Sequence, residues 1–260
     1  MKTSDLKSFK KSQHKIACLT AYDASFAQIF DSCGVDILLV GDSLGNVVQG
    51  EEDTLGVSMD DMCYHTQIVA KASKNSLIIA DMPYKSYNSK NSSLDNANRL
   101  IDCGAHMVKF EGGREHEDSF KILRDNNISV CGHLGLLPQS ITKIGSYKVQ
   151  GKDESSANRI IEDAILLESW GVEVIVLECI PSELGAIISK SLNIPTIGIG
   201  AGVDCDGQIL VSYDVLGINP NKPAKFVKNF LSGEGDIKSA IKSYVRAVKD
   251  KTYPTKEHSY

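Results

Sequence analysis

Residues 154–178 read ESSANRIIEDAILLESWGVEVIVLE. Up to Trp170 the apolar side chains recur at helical spacing; from Val174 to Leu177 they run without a break, and Glu178 closes the run. A helix pattern followed by a short, wholly apolar strand is the unit of a parallel sheet, because a strand covered on both faces has no polar side to show. The same alternation runs through the chain. Candidate strands are Ile16 to Thr20, Asp36 to Val40, Leu77 to Ala80, His106 to Phe110, Ile128 to Cys131, Val174 to Leu177 and Thr196 to Ile199, with an eighth at Gln208 to Ser212. Helix candidates include Met59 to Ser73, Ser92 to Cys103 and Glu154 to Trp170, with Ser58 and Ser92 as N-caps. Seven or eight such units favour a closed (β/α)8 TIM barrel over an open sheet. A single domain is expected, with the barrel over about 14–219 and a helical extension with a tail over 220–260, its helices at Lys225 to Leu231 and Asp236 to Lys249. The segment from Lys251 to Tyr260 lacks periodicity and is expected to order only on contact with something else.

In a barrel the reacting groups come from the C-terminal strand ends. Here "LLVGDS" ends at Asp42 and Ser43, "LIIAD" at Asp81, "MVKFEGG" carries Lys109 and Glu111, "SVCGH" ends at His133 and "VIVLE" at Glu178. One strand-end acid is ordinarily a helix cap or a solvated loop residue; recurrence over successive strands argues for a site. Period-two geometry places Lys109 and Glu111 on one face of their strand. Asp42, Asp81 and Glu111, with no cysteine or paired histidine beside them, suggest an oxygen-only site for a hard divalent ion such as magnesium. The alternative is pairing with Lys109 or a nearby arginine. An open magnesium position beside a lysine suits the carboxylate and carbonyl oxygens of a 2-oxo acid. Glu178, from another strand, is free to act as general base, and His133 either moves protons or is a structural hydrogen-bonder. GIGAG at 198–202 reads as a tight turn rather than a phosphate grip. Tyr22 and Asp23 either line the same mouth or pack beneath it.

The bulk properties narrow the partners. The chain has 260 residues, 42% of them hydrophobic, and a net charge of −5, so neither nucleic acid nor a membrane surface is an expected partner. The apolar run after the basic first fifteen residues is too short for a signal peptide. With seven cysteines and no CxxC pair, a reducing, cytoplasmic setting is expected.

Several stretches resemble the ketopantoate hydroxymethyltransferases: TAYD at 20–23, LLVGDSLGNVVQG at 38–50, MVKFEGG at 107–113, VCGHLGLLPQS at 130–140, YKVQG at 147–151, VLECIP at 176–181, IPTIGIGAG at 194–202, DGQILV at 206–211 and KFVKNF at 225–230. The resemblance implies transfer of a one-carbon unit from 5,10-methylenetetrahydrofolate to 3-methyl-2-oxobutanoate with Mg2+. It implies Asp42, Asp81 and Glu111 as metal ligands, and Asp42, Ser43, Asp81 and Lys109 as contacts to the oxo acid. Glu178 takes the place of the proton acceptor and His133 that of an active-site wall. It further implies a homo-oligomer, commonly a decamer. Tyr84 and Lys85 depart from more apolar residues, and KIGS at 143–146 from a more glycine-rich version. Two rivals remain at this level: a folate-independent, magnesium-dependent lyase or mutase of the phosphoenolpyruvate type, and a non-catalytic metal-binding barrel. Retention of both Lys109 and Glu178 argues against the second.

Overall fold

The computed structural model describes residues 2–140, 148–219 and 222–260. Eight parallel strands, β1 (Ile16–Thr20), β2 (Ile37–Val40), β3 (Leu77–Asp81), β4 (Met107–Glu111), β5 (Val130–Gly135), β6 (Val174–Glu178), β7 (Thr196–Ile199) and β8 (Gly207–Leu210), pair in chain order, and β8 returns to β1. The expected barrel is therefore the observed one. The polar strand-end residues Asp81, Glu111, His133 and Glu178 lie within their strands rather than after them. The apolar runs understate the strands because the ladder continues into the site.

Alternation sorts the side chains into two cores. Along β4, Met107 joins an interior column with Ile16, Cys18, Ile79, Val174, Val176 and Ile209, whereas Val108 and Phe110 face the surrounding helices. The described helices are α1 (Asp5–Ser12), α2 (Ala24–Ser32), α3 (Met59–Ala72), α4 (Lys90–Asp102), α5 (Glu117–Asp125), α6 (Glu154–Ser169), α7 (Ser182–Ser191), the short α8 (Ser212–Val215) and α9 (Ile237–Lys249). Ser58 caps α3 in a reciprocal box with Asp61, as its position suggests. For α4 the cap is Ser89; Ser92 is the residue three positions on that closes the box. Both serines are short hydroxyl residues at the start of a helix, and the choice between them is one turn of register.

Helix α1 was not legible in the basic N-terminal stretch, yet its Leu6 is fully buried and, with Phe9, plugs the N-terminal end of the interior column. At the other end of the chain the expected helix Lys225 to Leu231 is absent: among its described residues the backbone is committed elsewhere. Phe230 donates its N–H to the Val215 carbonyl, and the Phe226 carbonyl accepts the Tyr253 hydroxyl. The i, i+4 spacing of Phe226 and Phe230 imitates a helix face, but the two rings serve different places, the barrel mouth and the packing beneath α9. The tail, expected to order only on contact with something else, packs against its own chain. Tyr253 is 2% exposed, and the Tyr260 carbonyl accepts both the N–H (2.9 Å) and the hydroxyl (2.9 Å) of Ser182.

Helix α9 completes the outer layer, burying Ala240, Ile241, Tyr244, Val245 and Val248. The buried Tyr244 hydroxyl lies 2.8 Å from the Cys18 carbonyl and 2.9 Å from that of Gln208, so one proton bridges β1 and β8 at the seam where the barrel closes. Replacing Tyr244 by Phe removes that donor and is expected to lower stability by about 1–3 kcal/mol in urea denaturation. Leu6→Ala is expected to cost about 2–5 kcal/mol by opening the lower end of the column.

Candidate active site

At the C-terminal mouth a cavity of roughly 200 Å³ is lined by Asp42, Ser43, Asp81, Lys109, Glu111, His133 and Glu178, every residue singled out from the strand ends. Strand register creates the pairings. Asp81 lies beside Lys109 and Glu111 beside His133 across neighbouring strands. The Lys109 ammonium approaches Asp81 Oδ1 to 2.8 Å, with both side chains at 5% exposure or less. His133 stands between two acids, Nδ1 3.5 Å from Glu111 Oε1 and Nε2 3.2 Å from Glu178 Oε2. These are ion-pair distances without aligned hydrogen bonds, since neither ring nitrogen has a hydrogen-bond partner among the described residues.

Glu178 is set by the backbone. Gly135, at φ +99°, ends β5; a Cβ there would lie 2.1 Å from the Glu178 carbonyl, which accepts the Leu136 N–H at 2.8 Å. Only glycine permits that approach. Ser43 shares a hydrogen bond with the buried Tyr22 hydroxyl at 2.8 Å, which places Tyr22 under the site. Asp23 instead caps α2, accepting the Phe26 N–H at 3.0 Å. The GIGAG segment is a turn: Gly200 and Gly202 have φ of +65° and +88°. Lys85 sits at φ +66° with its ammonium over the Tyr84 ring, 5.0 Å from the centroid, away from the cavity lining; KIGS lies outside the described residues.

Burial first, then repulsion from Asp81 and Glu111, pushes the Asp42 carboxyl up to about 8. Burial works to lower the Lys109 ammonium, but the carboxylates of Asp81, Asp42 and Glu111 outweigh it and hold it above its ordinary value. For His133, burial and the Lys109 charge oppose protonation, yet Glu111 and Glu178 carry it up to about 9. At neutral pH the pocket thus holds an ammonium and an imidazolium among five acidic side chains, Asp214 included, of which Asp42 is largely protonated.

The donor set fits a hard divalent ion. Asp42, Asp81 and Glu111 are all at 5% exposure or less, with Lys109 and the His133 imidazolium as the cations beside them, and three buried carboxyl groups crowded until Asp42 holds its proton are an arrangement that magnesium would relieve. Among the described residues no three or more acidic, imidazole or thiol groups stand together closely enough to hold a metal ion by themselves. The fit is to an open site in which one or two carboxylates and several waters hold the ion.

Sequence reasoning missed Gln139, 3% exposed, whose amide donates to Asp42 Oδ2 at 2.7 Å and whose N–H donates to Glu111 Oε2 at 3.0 Å. It stands inside VCGHLGLLPQS, but a glutamine carries no titratable signal. Thr54, with a buried hydroxyl that has no hydrogen-bond partner among the described residues, also lines the cavity, as do Asn46, Asp214 and Phe226.

A family model described as ketopantoate hydroxymethyltransferase matches residues 1–256. The chain belongs to the ketopantoate hydroxymethyltransferase family. Proteins named 3-methyl-2-oxobutanoate hydroxymethyltransferase from Ruthia magnifica and Nitrosococcus oceani are relatives of this family member at 62% and 51% identity, covering 100% and 98% of the chain and 100% and 97% of their own lengths. Among solved structures, phosphoenolpyruvate phosphomutase from Streptomyces platensis subsp. rosaceus has a TM-score of 0.63 at 11% identity, covering 84% of this chain and 83% of its own. A 2,3-dimethylmalate lyase has a TM-score of 0.59 at 14% identity, covering 83% of this chain and 82% of its own. At these identities the structural likeness is one of fold, here to barrels like that of this transferase-family member. No helix among the described residues is long and apolar enough to cross a membrane.

Both shifted groups bear on stability in one direction. His133, raised above the ordinary 6.5 to about 9, contributes stability that is full below about 6.5 and is lost as pH rises through 9. Asp42, raised from 3.8 to about 8, binds a proton in the folded state that the unfolded chain has lost, so stability falls further between those values. With EDTA present, this site's contribution to thermal stability is expected to fall from pH 5 to pH 9. His133→Gln is expected to flatten the upper part of that fall in a melting series.

Proposed function

We propose that the chain transfers a hydroxymethyl group from 5,10-methylenetetrahydrofolate to 3-methyl-2-oxobutanoate, giving 2-dehydropantoate and tetrahydrofolate, with water supplying the hydroxyl oxygen. The observation that carries the reading is the division of the cavity: a cation-seeking carboxylate group with Lys109 on one side, and Glu178, held by the His133 imidazolium, on the other.

Asp42, Asp81 and Glu111 would hold Mg2+, which when bound supplies Lewis-acid polarisation of the substrate's oxo and carboxylate oxygens. Lys109, kept charged by its acids, offsets the substrate's negative charge and the charge that develops on the oxo oxygen. Ser43, oriented by Tyr22, offers a hydroxyl to the substrate carboxylate. The apolar wall of Leu39, Val176, Ile199, Ile209 and Phe226 suits the substrate's two methyl groups. Glu178 accepts the C3 proton, and His133, bridging Glu178 and Glu111, fixes the carboxylate for that transfer. Water adds to the folate's methylene carbon and both of its C–N bonds break, the two nitrogens taking water's protons; the electron pair at C3 then adds to the carbonyl carbon so released, and its oxygen takes the proton held by Glu178 to become the new hydroxyl.

One variant separates binding from chemistry. Glu178→Gln is expected to bind the oxo acid with Mg2+ nearly as the parent does, while losing exchange of the C3 proton with solvent by about a thousandfold or more, within the range that general-base catalysis commonly supplies together with positioning. Exchange at the parent rate, followed by proton NMR in heavy water, would remove Glu178 from the role. Product formed only when both methylenetetrahydrofolate and Mg2+ are present, and abolished by EDTA, is the expected result for the whole reaction. Turnover of the oxo acid without any folate would place the chain with the phosphoenolpyruvate-type enzymes instead.

A further inference from the structure

We propose that Gln139, oriented by Tyr87, is a positioning residue that presents Asp42 and Glu111 to the divalent ion without neutralising them. The inference rests on the metal reading above and deepens it.

Gln139 lies in a short turn, Pro138–Ser140, beyond β5. A primary amide has two N–H donors and one carbonyl acceptor, and here all are used. Nε2 donates to Asp42 Oδ2 at 2.7 Å and to the Met82 carbonyl at 3.1 Å, and Oε1 accepts the Tyr87 hydroxyl at 2.6 Å. The main-chain N–H donates to Glu111 Oε2 at 3.0 Å. One residue thus ties together the ends of β2, β3, β4 and β5, and it takes one oxygen from each of two acids, leaving Asp42 Oδ1 to the site and Glu111 Oε1 facing His133 at 3.5 Å.

The chemical type matters. A lysine or arginine at this point would neutralise the acids and compete with a metal ion; a glutamate would add to the repulsion; a leucine would leave both Asp42 Oδ2 and the Met82 carbonyl short of a donor. A neutral amide restrains the acids and preserves their charge. It must also face the right way, because its oxygen turned toward Asp42 would be repelled. Asp42 Oδ2 and the Met82 carbonyl can only accept, so they draw the nitrogen, and the Tyr87 hydroxyl, on a ring at 5% exposure and 4.9 Å from that of Phe110, completes the arrangement by giving its proton to Oε1.

The test is a double-mutant cycle read in Mn2+ binding to the whole protein by electron paramagnetic resonance, with the metal alone as probe. Gln139→Leu is expected to weaken Mn2+ binding by about 10- to 100-fold, the range for groups that orient metal ligands. Tyr87→Phe is expected to weaken it several-fold in the parent and not at all in the Gln139→Leu background. High Mg2+ is expected to restore most of the turnover lost in Gln139→Leu, which a merely destabilised fold would not show. Folded Gln139→Leu that binds Mn2+ like the parent, or a Tyr87→Phe loss of equal size in both backgrounds, overturns the inference. If Gln139→Leu fails to fold, parent-like Mn2+ binding by Tyr87→Phe alone overturns it. A parent protein that binds no Mn2+ overturns the metal reading itself, a separate and distinguishable outcome.

Discussion

Carboxylates buried at the mouth of the barrel repel one another, and the rest of the site is organised around that repulsion. Asp42, Asp81 and Glu111 are withdrawn from water by the walls they share, so their charges are poorly screened. The fold answers with Lys109 against Asp81, His133 between Glu111 and Glu178, and the neutral amide of Gln139 on Asp42. Burial, then repulsion from Asp81 and Glu111, still pushes the Asp42 carboxyl up to about 8. The residual imbalance is what makes the pocket receptive to a divalent ion and an anionic substrate.

Such an arrangement costs stability, and the barrel separates that cost from its own support. Below the charged layer the interior column is wholly apolar, from Ile79 and Val176 down to Leu6 at the plug. Helix α9 and the tail brace the outside, with Tyr244 at the β1–β8 seam and Tyr253 holding the Phe226 segment. The charged end therefore rests on strands whose positions are decided elsewhere. Preorganised charge stabilises a developing negative charge only if it does not move, and the closed sheet supplies that rigidity.

The identity of the chain and its charged residues were open to reading from one dimension, because a parallel barrel writes itself as apolar runs and places its chemistry where each run stops. Period-two alternation was enough to put Lys109 and Glu111 in one cavity. The reading failed where local pattern and long-range commitment diverge. Residues 225–231 have helical spacing, but their backbone groups are engaged by Val215 and Tyr253. The first helix has an ordinary basic surface, and the value of Leu6 appears only once there is a barrel end to fill.

The barrel, its apolar strands and the strand-end acids were determined by the sequence alone, since each follows from hydrophobic periodicity and the chemistry of a strand's last residue; Asp214, outside a strand end, was not. Which acid meets which cation was decided by the tertiary structure. The register that sets Asp81 beside Lys109 and Glu111 beside His133 comes from the stagger of a closed sheet, and no single strand encodes it. Gln139 belongs to the same class: an uncharged side chain acquires a role only when four strand ends are brought within reach of one amide.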